Sequence, residues 1–169
     1  MKYNTLLITG GAGFIGSNLA HYFKNNYPKL KVFALDNLVR RGSEFNLPRL
    51  KENGIKFIRG DVRHPKDLDL KFDVDLILEC SAEPSVLAGY KNPSYIIDTN
   101  LMGTVNCLEL CRKHKAGMIF ISTSRVYPYE KINAIRRLES KSRLERYIDT
   151  VEVRSSNLLS STSHIKSCK

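Results

Sequence analysis

The sequence predicts an α/β domain built on a doubly wound parallel sheet. Three observations carry that prediction. Short β-rich runs alternate with helically spaced apolar residues from Tyr3 to Ser122. A glycine-rich turn, TGGAGFIGS, joins the first run to the first helix. An aspartate, Asp36, closes the second run twenty residues beyond Gly16.

The elements come in a regular order. Residues 3–9, YNTLLIT, form the first strand, and from Phe14 the apolar spacing turns helical through Ile15, Leu19, Tyr22 and Phe23. Lys31–Leu35 is the second strand, stopped by Asp36-Asn37. A polar loop leads to a short helix near Asn46–Lys51, then to a third strand at Lys56–Arg59, halted by Gly60-Asp61. Asp75–Glu79 is the fourth strand. Asn92 suits an N-cap and Pro93 the first helical position, where its missing N–H costs nothing. Ile97, Leu101, Thr104, Val105 and Leu108 then make one helical face. That helix ends near His114, Gly117 breaks it, and Met118–Ser122 is a fifth strand.

The remainder reads differently. Residues 1–130 carry 18 basic and 13 acidic side chains, whereas 131–169 carry 9 and 4, so the tail is the more densely charged part of a chain of net charge +10. It divides the chain into a nucleotide-binding domain over 1–130 and a basic, serine-rich tail over 131–169. The tail has one amphipathic helix at 132–148 and is otherwise weakly ordered. Without aromatic interleaving the basic excess reads as a solvated face, which argues against nucleic acid. The first residues are too short an apolar run for a signal peptide or membrane span, so the expected compartment is the cytoplasm. The four cysteines have no CxxC spacing and pair with no histidine at ligand distance, which disfavours a metal site. Cys107 and Cys111 read as small core fillers.

The glycine turn points to a phosphate ligand. Gly10 allows a tight exit from the strand, Gly13 lets backbone amides approach a pyrophosphate, and Gly16 permits close helix–strand contact. The helix opening at Phe14 and Ile15 directs its free N–H groups and positive dipole end at that pyrophosphate. Asp36 is placed to accept hydrogen bonds from an adenosine ribose, which favours NAD; Arg40 and Arg41 keep NADP open. The expected architecture is therefore a Rossmann-like half with about five strands.

With these residues in place the chain resembles the extended short-chain dehydrogenase/reductases, within them the NAD-dependent sugar-nucleotide epimerases and dehydratases. The likeness rests on GGAGFIG, DNL at Asp36–Leu38, GDV at Gly60–Val62, SAEPSV at Ser81–Val86, NPSYIIDTNLMGTVNCLEL at Asn92–Leu110 and STSRVYP at Ser122–Pro128. DNLVRRG, AEPSV and STSRVYP together are most similar to the CDP-paratose (CDP-tyvelose) 2-epimerases. The resemblance implies NAD contacts from Asn37, from Asp61 and Val62 at the adenine, and from Ser81 and Ala82 beside the nicotinamide. It also implies that Asn100 holds the segment next to the cofactor. It implies a catalytic hydroxyl at Thr123, a CDP- or UDP-sugar as substrate, and a homodimer in the full-length family. One departure stands out: many relatives carry histidine and paired alanines where this chain reads Glu79, Cys80, Ser81, Ala82. A glutamate there is costly to bury.

The family's acid/base pair, a tyrosine with a lysine four residues on, is missing. Tyr127 and Lys131 have the spacing, but Tyr127 belongs to the STSRVYP motif and precedes Pro128, which pushes it out of helical conformation. With 8 tyrosines in 169 positions, about 0.7 accidental matches to a lysine are expected. The expectation is a chain truncated before the catalytic helix and substrate domain, keeping the nucleotide half without the chemistry. The alternative is a non-enzymatic NAD-binding module or redox-responsive regulator on the same half-fold.

Overall fold

The apolar run that opens the chain becomes the centre of the sheet. In the computed structural model, which describes residues 3–122, strand β1 spans Thr5–Thr9 and every residue of it is buried. Successive side chains of a strand point to opposite faces, so Leu6 and Ile8 enter one core and Leu7 the other. Helix α1 (Phe14–Asn26) comes next, then β2 (Lys31–Asp36), a 3-10 turn (Ser43–Asn46), α2 (Leu47–Glu52) and β3 (Lys56–Arg59). A second 3-10 turn (Pro65–Leu68) leads to β4 (Leu76–Glu79). Short helices α3 (Val86–Lys91) and α4 (Pro93–Ile96) come after it, then a π-helical turn (Ile97–Met102), α5 (Gly103–His114) and β5 (Gly117–Phe120).

The five strands lie in the order β3-β2-β1-β4-β5, all pairings parallel. The expected doubly wound parallel sheet is what the described residues form. Its direction of winding reverses between β1 and β4, the position at which such sheets open a ligand crevice beyond the strand ends. Asp75 fixes the opposite end of that seam. Its Oδ2 accepts the N–H groups of Asn4 at 2.7 Å and Thr5 at 2.9 Å, so β1 and β4 start in register.

Two apolar layers hold the sheet. On one face Ala20 of α1 and Leu50 of α2 pack with Leu6, Ile8, Val32, Ala34 and Leu78. On the other, Cys107, Leu110 and Cys111 of α5 pack with Leu7, Phe33, Leu35 and Ile77. The two cysteines thus act as the small core residues that their spacing suggests.

The helix expected from Asn92 to His114 is present but not uniform. Asn92 caps it, its side chain accepting the Tyr95 N–H at 3.1 Å. Between Ile97 and Met102 the turn widens to π geometry. The apolar face predicted for this helix is not the one that meets the sheet: Ile97, Leu101, Val105 and Leu108 are exposed, while Gly103, Cys107, Leu110 and Cys111 are buried. The helix ends at His114 as expected, but Gly117 is not what breaks it. Lys115 adopts the left-handed conformation (φ 53°) that reverses the chain, and Gly117 is already the first residue of β5. Helix α3 is an addition to the expected elements; Ser85 starts it by accepting the Ala88 N–H at 3.3 Å.

At Gly103, α5 passes close to the segment after β3. A Cβ there would stand 2.7 Å from Cγ2 of Val62. Gly103→Ala is expected to cost about 1–3 kcal/mol through overpacking, read as a lower urea midpoint. An unchanged midpoint would show that this seam is slack.

Candidate functional site

The crevice at the strand ends is built first by glycine. Gly10 leaves β1 with φ +60°, and a Cβ on it would meet the Cys80 carbonyl oxygen at 2.7 Å. Gly16 lies so close to the same turn that a Cβ would come within 2.2 Å of the Gly10 carbonyl oxygen. Helix α1 therefore begins hard against β1. No side chain caps it and no acidic residue lies in its first turn. The N–H groups of Phe14, Ile15 and Gly16 donate to no other described residue. Such uncapped amides, with the positive end of the helix dipole, form an anion-binding end.

Gly11 and Asn46 brace this loop, roles that the residue order does not announce. The Gly11 N–H donates to the Leu35 carbonyl at 3.0 Å, and a Cβ on Gly11 would meet Ala34 at 2.7 Å. Asn46 Nδ2 donates to the Ala12 carbonyl at 2.7 Å.

On the β2 side, Asp36 is buried at the strand end. Its Oδ2 accepts the Ala12 N–H at 3.1 Å and its Oδ1 the Leu38 N–H at 2.8 Å. The second bond is possible because Leu38 takes a left-handed conformation (φ 58°), rare for a side-chain-bearing residue. Asn37 Nδ2 donates to Asp61 Oδ2 at 2.9 Å. Asp61 is gripped further by Arg63, whose Nη2 lies 2.6 Å from Oδ2 and whose backbone N–H donates to Oδ1 at 2.9 Å. Burial opposes ionisation of Asp61, but the hydrogen bonds from Arg63 and Asn37 outweigh it and hold the carboxyl well below the usual range. The Arg63 guanidinium also sits 5.0 Å from the centre of the Tyr95 ring, tying this corner to α4.

On the β4 side, Ser81, Ala82 and Glu83 line the crevice. Asn100 holds them from behind: its Oδ1 accepts the Glu83 N–H at 2.8 Å and its Nδ2 donates to the Glu83 carbonyl at 3.2 Å. Glu79 is buried below, where its Oε1 accepts from Ser81 Oγ, from the Ser81 N–H at 3.2 Å and from Thr9 Oγ1 at 3.4 Å. Burial pushes its carboxyl up, and these hydrogen bonds offset only part of that. Burial, helped by Glu79, pushes the Cys80 thiol up to about 12, so it stays protonated at neutral pH and is no nucleophile. Thr99, on the π-helical turn, lines the same crevice, and its Oγ1 is buried without a hydrogen-bond partner among the described residues. A buried hydroxyl left unpaired is rare and marks a place for a ligand or water atom.

The structure thus brings Gly10, Gly13, Asp36, Asn37, Val62, Ser81 and Ala82 to one crevice. Gly16, Asp61 and Asn100 stand behind it as supports. Phe14 (84% exposed) and Ile15 turn their side chains to solvent and offer only backbone. Of the two arginines after Asp36, Arg40 reaches the lining and Arg41 does not. Thr123, Tyr127, Lys131 and the helix expected at 132–148 lie outside the described residues. Among the described residues no group of His, Cys, Asp or Glu could hold a metal ion, and no helix is long and apolar enough to cross a membrane. A wider hollow of about 600 Å³ runs along Pro65–Leu68 and α5, against about 100 Å³ for the crevice. Most of its charges are paired, Lys113 with Asp69 at 2.6 Å and Arg112 with Glu109 at 2.8 Å, Lys66 being the exception among the described residues. Width alone does not make it the site; among the described residues that line it there is no orphaned buried hydroxyl.

With this geometry in place, comparison with known proteins is decisive. Residues 6–152 match the NAD dependent epimerase/dehydratase family. The chain belongs to that family. It is 37% identical over 128 residues to the CDP-paratose 2-epimerase of Salmonella typhi, covering 72% of this chain and 37% of that protein. Among solved structures, the ADP-L-glycero-D-manno-heptose-6-epimerase of Helicobacter pylori is similar with a TM-score of 0.64 and 36% identity, over 74% of this chain and 40% of that one. The UDP-glucose 4-epimerase of Bifidobacterium longum, crystallised with NAD+ and UDP, gives 0.65 and 28%, over 73% and 38%. The chain therefore spans about two fifths of the length of these epimerases.

Gly16→Ala forces a methyl against a backbone carbonyl that cannot move aside, and is expected to destabilise by about 1–3 kcal/mol, seen as a lower thermal midpoint. Because Asp61 has a depressed folded pKa, the stability it contributes is present above its unfolded value and lost as pH falls through and below that value. Arg63→Met should flatten that acid limb in urea titrations below about pH 4; an identical limb in both proteins would show that the pair contributes nothing.

Proposed function

We propose that the chain binds NAD across this crevice and forms the cofactor half of a sugar-nucleotide epimerase acting on a CDP- or UDP-sugar. The uncapped amides of Phe14, Ile15 and Gly16 would take the pyrophosphate, and Asp36 the adenosine ribose. Asp61 and Val62 would stand at the adenine, with Asn37 orienting Asp61. Ser81 and Ala82 would line the nicotinamide side, with Asn100 fixing their segment. The observation that carries this reading is the orphaned Thr99 hydroxyl in a crevice lined by Gly10 and Gly13, the turn that leads into the uncapped amides of α1. Both features make sense once a ligand occupies the crevice.

When bound, NAD supplies a hydride acceptor. For the residues, the reading assigns Thr123 a hydrogen bond to the sugar hydroxyl undergoing oxidation. The two tyrosines with a lysine four residues on, Tyr27 and Tyr127, are each followed directly by proline, which disfavours helix there, so the expected behaviour of the chain alone is binding without turnover of the sugar nucleotide. That behaviour also fits a redox-responsive NAD-binding module, which the missing pair favours as the second reading.

A ligand that binds only the folded state raises its stability, by about 2.7 kcal/mol at a hundred times Kd. NAD should therefore raise the melting temperature, NADP less so because its 2′-phosphate would face the Asp36 carboxylate. Asp36→Ala should melt as a folded protein yet lose most of the NAD shift. A folded wild-type chain that neither cofactor stabilises would end this reading. Turnover of a CDP- or UDP-sugar by the chain alone would overturn the binding-only expectation.

A further inference from the structure

Among the described residues, the acid buried at the end of β4 has no cation beside it. Glu79 is 2% exposed, and it belongs to no ion pair of the described residues. What faces it is polar or apolar and neutral. Thr9 reaches it from β1 and Ser81 from its own strand end, while Cys107 approaches from α5 and Cys80 adjoins it in the chain. Its register partner on β5 is Phe120. All three hydrogen bonds converge on Oε1, which leaves Oε2 to carry a proton.

The network reaches the crevice through Ser81. Its hydroxyl lies between Glu79 Oε1 and Thr9 Oγ1, the latter at 3.2 Å, and the residue lines the crevice. With Glu79 ionised, the Ser81 O–H is drawn to the carboxylate and the oxygen turns a lone pair outward. With the pyrophosphate at the glycine turn and the adenosine ribose at Asp36, the other half of a dinucleotide extends toward β4. That half carries a positive charge on its ring when oxidised and none when reduced.

We propose that Glu79 is a specificity-determining residue for the oxidation state of the cofactor: its buried carboxylate, with no cation beside it among the described residues, favours the oxidised nicotinamide ring over the reduced one. The proposal rests on the NAD reading above. Its pH dependence has a definite sign. Protonated, Glu79 is neutral and does not discriminate; ionised, it attracts the cationic ring, so the preference for NAD+ grows as pH rises. In the ligand-free fold the same raised pKa works the other way. The stability it contributes is complete below the unfolded value and lost as pH rises through the folded one.

The test is calorimetric binding of NAD+, NADH and ADP-ribose to the full chain and to Glu79→Gln at about pH 6 and about pH 9. In the wild type the preference for NAD+ over NADH is expected to grow about tenfold, a difference of about 1.4 kcal/mol. In Glu79→Gln it should stay constant, with ADP-ribose bound alike by both proteins. Should the variant fail to fold, the wild type alone decides, because NAD+ must then release more protons on binding than NADH does in buffers of different ionisation enthalpy. A preference independent of pH, one that changes equally in Glu79→Gln, or equal proton release overturns the proposal while ADP-ribose binding leaves the cofactor reading standing. If wild-type protein binds no ADP-ribose at either pH, the cofactor reading falls and takes the proposal with it.

Discussion

The contact between the Gly10 carbonyl and the bare Cα of Gly16 holds the whole crevice in place. It sets the first helix directly on the turn leaving the central strand, closer than any side chain allows. Because β1 is hydrogen-bonded to both β2 and β4, fixing α1 to its end also fixes the crevice relative to both halves of the sheet. Asp36 and Asn46 reinforce the arrangement by holding the amide and carbonyl of Ala12 from outside the loop. The uncapped amides thus belong to a rigid frame.

Two buried acids flank that frame and have opposite fates. Asp61 shares its corner with Arg63 and Asn37, and their hydrogen bonds overcome the cost of its burial. Among the described residues Glu79 has hydroxyls, a backbone amide and neutral thiols beside it and no cation, and burial wins. Partnering, more than depth, separates them. A carboxylate with its own arginine is electrostatically spent, whereas one without a cation still has a field to exert on whatever enters the crevice.

Much of this is legible in the sequence because it depends on local chemistry. The third strand, Lys56–Arg59, matches its expected bounds to the residue, since an apolar run stopped by Gly-Asp leaves little room to slide. The start of α1 and the cap at Asn92 are equally plain. What escapes depends on tertiary contact. The stripe through Ile97, Leu101, Val105 and Leu108 has a good helical period, yet α5 presents Gly103, Cys107 and Leu110 to the sheet. Glycine is needed at position 103 because Val62 stands too near for a side chain. Nothing in the residue order announces that neighbour. Thr99 escapes for a related reason: its significance lies in having no partner, which only coordinates reveal. The DTN context beside Asn100 is a signal at hand, though it speaks for the asparagine alone.

The π-helical turn between Ile97 and Met102 has a consequence for how this helix tolerates changes of length. An α-helix advances about 100° per residue, and a π turn accommodates a residue beyond that count. Removing one residue from this stretch would let the turn relax to α geometry while α5 kept its grip on the sheet. Because the extra residue is absorbed within one turn, removing it would leave the segments on either side facing as before, with Tyr95 still on the crevice it lines. A residue removed from the regular helix Gly103–His114 would instead turn the upstream half by about 100°, so single-residue deletions should be better tolerated in the bulge than in α5.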